Sequence, residues 1–162
     1  MSDNNLSLAT VYKGWDIYQQ HQVKAIAPLT PDQLALQAAP HLRSTGMIAT
    51  HIIAVRVRWF HGLMGEGGTE IDPIGSWDRA GTPVRTAAEL VSGLEVTWQL
   101  IQQSLTRWTL TDLDYIFRDT YQGKTYTLSR QWVIWHVIEH DLHHGGELSF
   151  ALGMHGLAAP DL

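Results

Sequence analysis

Four of the nine histidines in this 162-residue chain fall within nine positions: His136, His140, His143 and His144, in the segment WHVIEHDLHHGGELSFALG. Imidazole is the commonest protein ligand for transition metals and the side chain that most readily moves protons near neutral pH. Residues four apart on a helix stand on one face, so His136, His140 and His144 form a ladder with rungs about 6 Å apart. His143 points roughly 100° away from His144 and so turns from any shared centre. Val133, Val137, Leu148 and Ala151 mark the inward stripe of this helix, and His140 and His144 fall on the same side.

A second inward histidine occurs far earlier. His51 lies in line with Ile48, Ile52 and Val55 at helical spacing. His51, His140 and His144 together are a candidate metal site, because three neutral imidazoles around one divalent ion leave a coordination position open for water or substrate. Glu147, three residues after His144, is a further ligand or an acceptor that orients an imidazole. His136 is a possible helper. The competing reading of one such histidine is a core residue satisfied by a hydrogen bond. The run HDLHH also reads as H-D-x-x-H, close to the H-E-x-x-H of zinc metalloproteases, which makes Asp141 a candidate base for metal-dependent hydrolysis.

The chain has no cysteine, so a thiolate ligand and a cysteine nucleophile are both excluded. Eleven Lys+Arg against sixteen Asp+Glu give a net charge of −5, with no dense basic run to neutralise phosphates; nucleic acid is not an expected partner. Apolar residues at 44% and charged residues at 17% fit a folded domain, and the length fits one domain over residues 1–162. Neither a signal sequence nor a membrane span is apparent, so the expectation is a soluble, cytoplasmic protein.

Apolar spacing predicts four long helices to carry these residues. The first runs from about Leu6 to Ala27 and the second from a cap at Ser44 or Thr45 to about Met64. The third starts near Thr86, where Glu89 completes a capping box, and reaches about Arg107; the fourth runs from a cap at Ser129 to about Leu152. LTPDQL is a short turn between the first two. A linker of about 20 residues follows the second helix and is long enough to be a functional loop. In it Trp77, with Asp72, Asp78 and Arg79, is placed to wall a pocket over the metal, or else to form a solvated loop. A brief hairpin is expected around Gln122-Gly123-Lys124. Arg56 and Arg58 are expected on the outer face of the second helix or paired with acidic neighbours. Glu139 and Asp141, off the ladder, are expected toward solvent or a partner helix, and Glu95 and Asp16 are remote candidates for orienting carboxylates. The predicted fold class is all-α, a four-helix bundle with long interhelical loops.

The early stretch THIIAVRVRWF and the late WHVIEHDLHHGGELSFALGMHG together resemble the DinB/YfiT-like family of bacterial four-helix-bundle metalloenzymes. The resemblance covers nearly the whole chain and implies a site of one histidine from the second helix and an i, i+4 pair from the fourth; by position these are His51, His140 and His144. One departure is HHGGEL, where the family often has Arg-Gly-Gln after the paired histidines and this chain has Gly145, Gly146 and Glu147.

The resemblance further implies a divalent ion, zinc or nickel, that activates a low-molecular-weight thiol cosubstrate for transfer to a small electrophile, and a homodimer. Glu147 or His136 would carry protons. The alternatives are the metal-dependent hydrolase, with Asp141 or Glu147 as base, and a non-enzymatic metal- or ligand-binding bundle associated with stress. A small-molecule substrate is expected, and neither a membrane nor a nucleic-acid partner.

Overall fold

The protein is described over residues 7–160 by a computed structural model; Leu6, the expected start of the first helix, lies outside that range. The helices are α1 (Leu8–Val11), α2 (Lys13–Ile26), α3 (Pro31–Leu34), α4 (Thr45–Val57), α5 (Ala87–Arg107) and α6 (Arg130–Met154), with a hairpin of β1 (Ile116–Tyr121) and β2 (Lys124–Ser129) before α6. α2, α4, α5 and α6 form the bundle. No helix among the described residues is long and apolar enough to cross a membrane.

The helix boundaries follow from caps. The side chain of Ser44 accepts from the Met47 amide, that of Ser129 from the Trp132 amide, and Thr86 and Glu89 make a reciprocal capping box. The hairpin pairs antiparallel, with Tyr121 opposite Lys124 around Gln122 and Gly123. Both turn residues have positive φ, 49° and 77°, the two-residue turn whose twist matches that of its strands.

Two expected helices are not continuous. The first breaks at Tyr12, because the Leu8 amide donates to the Trp108 carbonyl at 3.0 Å and fastens that opening turn to the end of α5. The second leaves α-helical geometry after Val57 and continues as a π-helical turn over Arg58–Leu63. That wider turn carries Arg58 to the Gly75 carbonyl and His61 to the Glu66 carbonyl, so it grips the following segment. The linker is correspondingly ordered, beginning with a 3₁₀ helix at Thr69–Ser76.

Two apolar clusters fill the bundle. One gathers Trp15, Phe60, Trp98, Trp108, Val133 and Val137; the other gathers Ile26, Ile48, Ile52, Leu94, Leu148 and Leu152. Along each bundle helix a buried polar residue falls between them: Gln19 and Gln22 on α2, Arg56 on α4, Thr97 on α5 and Asp141 on α6. Arg56 donates to Asp141 through Nε and Nη2, to Gln19 and Thr97 through Nη1, and to Gln22 through Nη2. Trp15 Nε1 adds a bond to Asp141 at 2.7 Å.

This layer decides between the expected alternatives for Arg56 and Asp141, and it corrects the expectation of Asp141 as a base. Arg56 takes the second of its expected places, paired with an acidic neighbour and fully buried rather than on an outer face, and Asp141 points to the partner helices, to Arg56 of α4 and Trp15 of α2, rather than to solvent or the histidines. A carboxylate so committed is not free to act as the base of a hydrolytic site. Charged residues are almost never fully buried unless paired, and spacing alone does not say whether such a pair lies inside.

Candidate metal centre

α4 is buried almost all round. From Ile48 to Val57, His51 is the one residue that is not fully buried, and with Gly46, Met47 and Thr50 of the same helix it lines a cavity. α6 crosses beside it and brings His140 and His144 to the same point. The ring centroids stand 4.8 Å apart for His51 and His140, 4.7 Å for His51 and His144, and 4.3 Å for His140 and His144. One ligand atom from each of the three lies within 4.8 Å of the other two, so the group could hold a metal ion.

Two carboxylates set the direction of the imidazole lone pairs. His51 Nδ1 lies 2.7 Å from Asp78 Oδ2. Burial would raise the Asp78 pKa, but hydrogen bonds from Arg58 and His51 outweigh it and bring it to about 2. Asp78 is thus an acceptor only, Nδ1 of His51 carries the proton, and Nε2 presents its lone pair inward. Arg58 holds Asp78 in place with bonds of 2.7 and 2.9 Å to its two oxygens. His144 Nδ1 lies 2.7 Å from Glu147 Oε2. Burial pushes Glu147 upward too, yet its bond to His144 leaves it below the ordinary carboxylate value. His144 is therefore turned the same way. Such carboxylate–histidine pairs fix the tautomer of metal ligands and raise their basicity.

The third imidazole completes the fit. His140 Nε2 faces His51 Nε2 at 3.1 Å, and its Nδ1 is buried with no hydrogen-bond partner among the described residues. Two nitrogens each about 2.0–2.1 Å from a tetrahedral ion stand about 3.3 Å apart, close to that separation. Burial, then the nearby His144 and His51, push the His140 pKa down to about 3. His51 is also lowered, by burial first, with Arg43 and His144 adding to it against the pull of Asp78. Neutral imidazole is the form a cation needs, so the donor set fits a divalent metal with His51, His140 and His144 as its ligands.

The DinB family sequence profile matches residues 1–162. The chain belongs to the DinB family. Solved structures with the same fold include a DinB-like protein from Bacillus cereus ATCC 10987, 20% identical with a TM-score of 0.72 over 98% of this chain and 99% of that one. Another is a protein described as a DinB family member from Exiguobacterium sibiricum 255-15, also 20% identical, with a TM-score of 0.68 over 92% of this chain and 91% of that one. No curated protein matches the sequence.

Around this DinB-family centre the remaining histidines separate. His136 stacks on Trp132 with its centroid 4.8 Å away, meets Trp59 edge-on, and stands 6.5 Å from His140. His143 is 69% exposed and turned from His51, yet its Nε2 lies 3.4 Å from Glu147, so that carboxylate touches both His143 and His144. Gly145 has a structural cause: a Cβ there would overlap the Tyr18 hydroxyl of α2. Asp72 pairs with His61 at 2.9 Å, outside the cavity lining. Asp16 and Glu95 line a separate groove between α2 and α5.

The cavity at His51 has a volume of about 520 Å³ and is walled by Trp77, Asp78 and Arg79 of the linker. Trp77 is seated there because Gly93 on α5 leaves room for its ring. Sequence reasoning missed Arg43 and Arg85, which also line it. The available signal was position: each arginine directly precedes a helix cap, Ser44 and Thr86.

Proposed function

We propose that the chain is a metal-dependent transferase that joins a low-molecular-weight thiol to a small electrophile, with zinc or nickel held by His51, His140 and His144. Bound there, a divalent ion would supply a lowered thiol pKa and hence a nucleophilic sulfur at neutral pH. The protein's own side chains account for the rest. Asp78 and Glu147 keep the lone pairs of His51 and His144 inward. Of the two expected proton carriers, Glu147 has the better position, since it bonds His144 and has His143 and solvent on its far side. His136 is engaged with Trp132 and Trp59.

The observation that carries this reading is that His51, one of the three clustered imidazoles, lines a cavity of small-molecule size. With no cysteine in the chain, thiol chemistry at this site requires a thiol brought by a cosubstrate. The test begins with metal analysis of protein purified without an affinity tag, where about one ion per chain is expected. Metal-loaded protein is then assayed with an electrophile and small thiols, and again without the thiol. Turnover only with the thiol supports transfer. Turnover in its absence replaces transfer by hydrolysis, for which Glu147 is the remaining base; no turnover leaves a binding protein.

A further inference from the structure

The wall of the cavity at His51 carries a cluster of cations, of which Arg85 alone has a carboxylate partner among the described residues. Arg43, Arg79 and Arg85 line it, three of the eleven Lys+Arg in a chain whose net charge is −5. The one carboxylate in the lining, Asp78, is already engaged by both Arg58 nitrogens and by His51. Arg85 lies over the Trp77 ring with its guanidinium carbon 4.4 Å from the centroid. Its Nη1 reaches Glu89 at 3.3 Å, while its Nε is buried without a partner among the described residues. A guanidinium stacked this way keeps a fixed planar fork, the geometry that receives a carboxylate. The first turn of α4, with Ser44, Gly46 and Met47 in the lining, adds the positive end of a helix dipole.

Beside these cations the wall is apolar. Trp77, Met47 and Val84 face the same space, and Val84 is 90% exposed at its mouth. Inorganic phosphate would use the charge and leave that surface wet. We infer that the cavity takes a small organic carboxylate, its charge received by Arg43, Arg79 and Arg85 and its apolar body laid against Trp77, Met47 and Val84. As a statement about substrate class it rests on the histidine centre being the reactive site. The carboxylate can belong to the thiol cosubstrate or to the electrophile, since either would bring its charge to the same arginines.

The probes are benzoate and its neutral isostere benzamide, titrated by calorimetry into zinc-loaded and metal-free protein. Benzoate should bind about tenfold more tightly than benzamide in both, as a charge-assisted hydrogen bond to a fixed cation predicts. Arg43→Gln/Arg79→Gln, at two exposed positions whose loss leaves the core intact, should bring the ratio toward one while zinc stoichiometry is unchanged. Equal affinities, a ratio that survives in the double variant, or inorganic phosphate binding more tightly than benzoate would each overturn the inference. The metal reading fails separately: a protein that takes up no zinc but keeps the benzoate preference loses the metal and retains the carboxylate site. With cobalt-loaded protein, 3-mercaptopropionate and propionate distinguish the sources. A thiolate-to-metal absorption band that weakens in the double variant assigns the carboxylate to the thiol; propionate-like binding without that band assigns it to the electrophile.

Discussion

Two polar clusters lie side by side between α4 and α6, and they are satisfied in opposite ways. Arg56 and Asp141 are five and one residues from His51 and His140, yet the ion pair is fully buried and each of its polar atoms has a partner. In the histidine centre two Nε2 atoms confront each other, and a buried Nδ1 has no partner among the described residues. A closed network rigidifies a core and settles how its helices meet. An unfinished one, with lone pairs aimed at a common point, is the arrangement a ligand completes. Neighbouring positions on the same two helices thus do different work, and the difference lies in what remains unpaired.

The largest expected effect comes from opening the closed cluster. Arg56→Met leaves the Asp141 carboxyl group buried with Trp15 as its remaining side-chain partner, and removal of one partner from a buried pair costs about 3–5 kcal/mol. Urea denaturation should show that loss. Arg56→Met/Asp141→Leu should recover most of it, because no uncompensated charge remains. If the single substitution leaves stability unchanged, the layer is not the structural element its hydrogen bonds imply.

The open cluster should answer differently to the same kind of change. His140→Ala is expected to abolish metal binding, measured by elemental analysis, while the chelator-treated variant stays at least as stable as the chelator-treated parent. It removes an imidazole that burial leaves unsatisfied, so folding has little to lose there. A variant that unfolds on losing His140 would place the histidines with the structural layer.

The contrast also explains what could be read from the sequence. Ser44, Thr86 and Ser129 announced three helix starts through local side-chain bonds, and Gln122-Gly123 announced the hairpin through its turn geometry. The inward direction of His51, His140 and His144 followed from helical period. Arg56 and Asp141 stayed open between solvent and a partner because their burial depends on each other across 85 residues, and no local pattern reports which partner. The role of Asp78 depends on the π-helical turn at Arg58, which a continuous apolar period conceals. Its place in the linker was visible; its bond to His51 was not.

Smaller effects should grade the two carboxylates that orient the centre. Substitution of such outer partners usually lowers metal affinity about 10–100-fold. Asp78→Asn should fall toward the upper end, since its side chain is 13% exposed and pinned by Arg58. Glu147→Gln should fall toward the lower end, because that side chain is 44% exposed and water can replace it. Competition with a chromogenic chelator measures both. The reverse order would shift the controlling contact from the linker to α6.

The smallest predicted effect is a difference in acid sensitivity of the metal-free protein. Burial first, then the neighbouring histidines, hold His140 neutral down to about 3, whereas in the unfolded chain it titrates near its ordinary value of 6.5. Between those values the unfolded state binds the extra proton. Stability from this group is therefore intact above about pH 6.5 and drains as pH falls toward 3. Asp78, held at about 2 against an ordinary 3.8, contributes stability above 3.8 that is lost only as pH falls through 2. The two windows do not coincide. Comparing urea midpoints at pH 7 and pH 5, chelator-treated His140→Ala should lose less stability than the parent, and Asp78→Asn should keep the parental slope. Parallel slopes for parent and His140→Ala would show that the fold does not hold this imidazole neutral, which is the property that separates an open ligand site from another satisfied layer of the core.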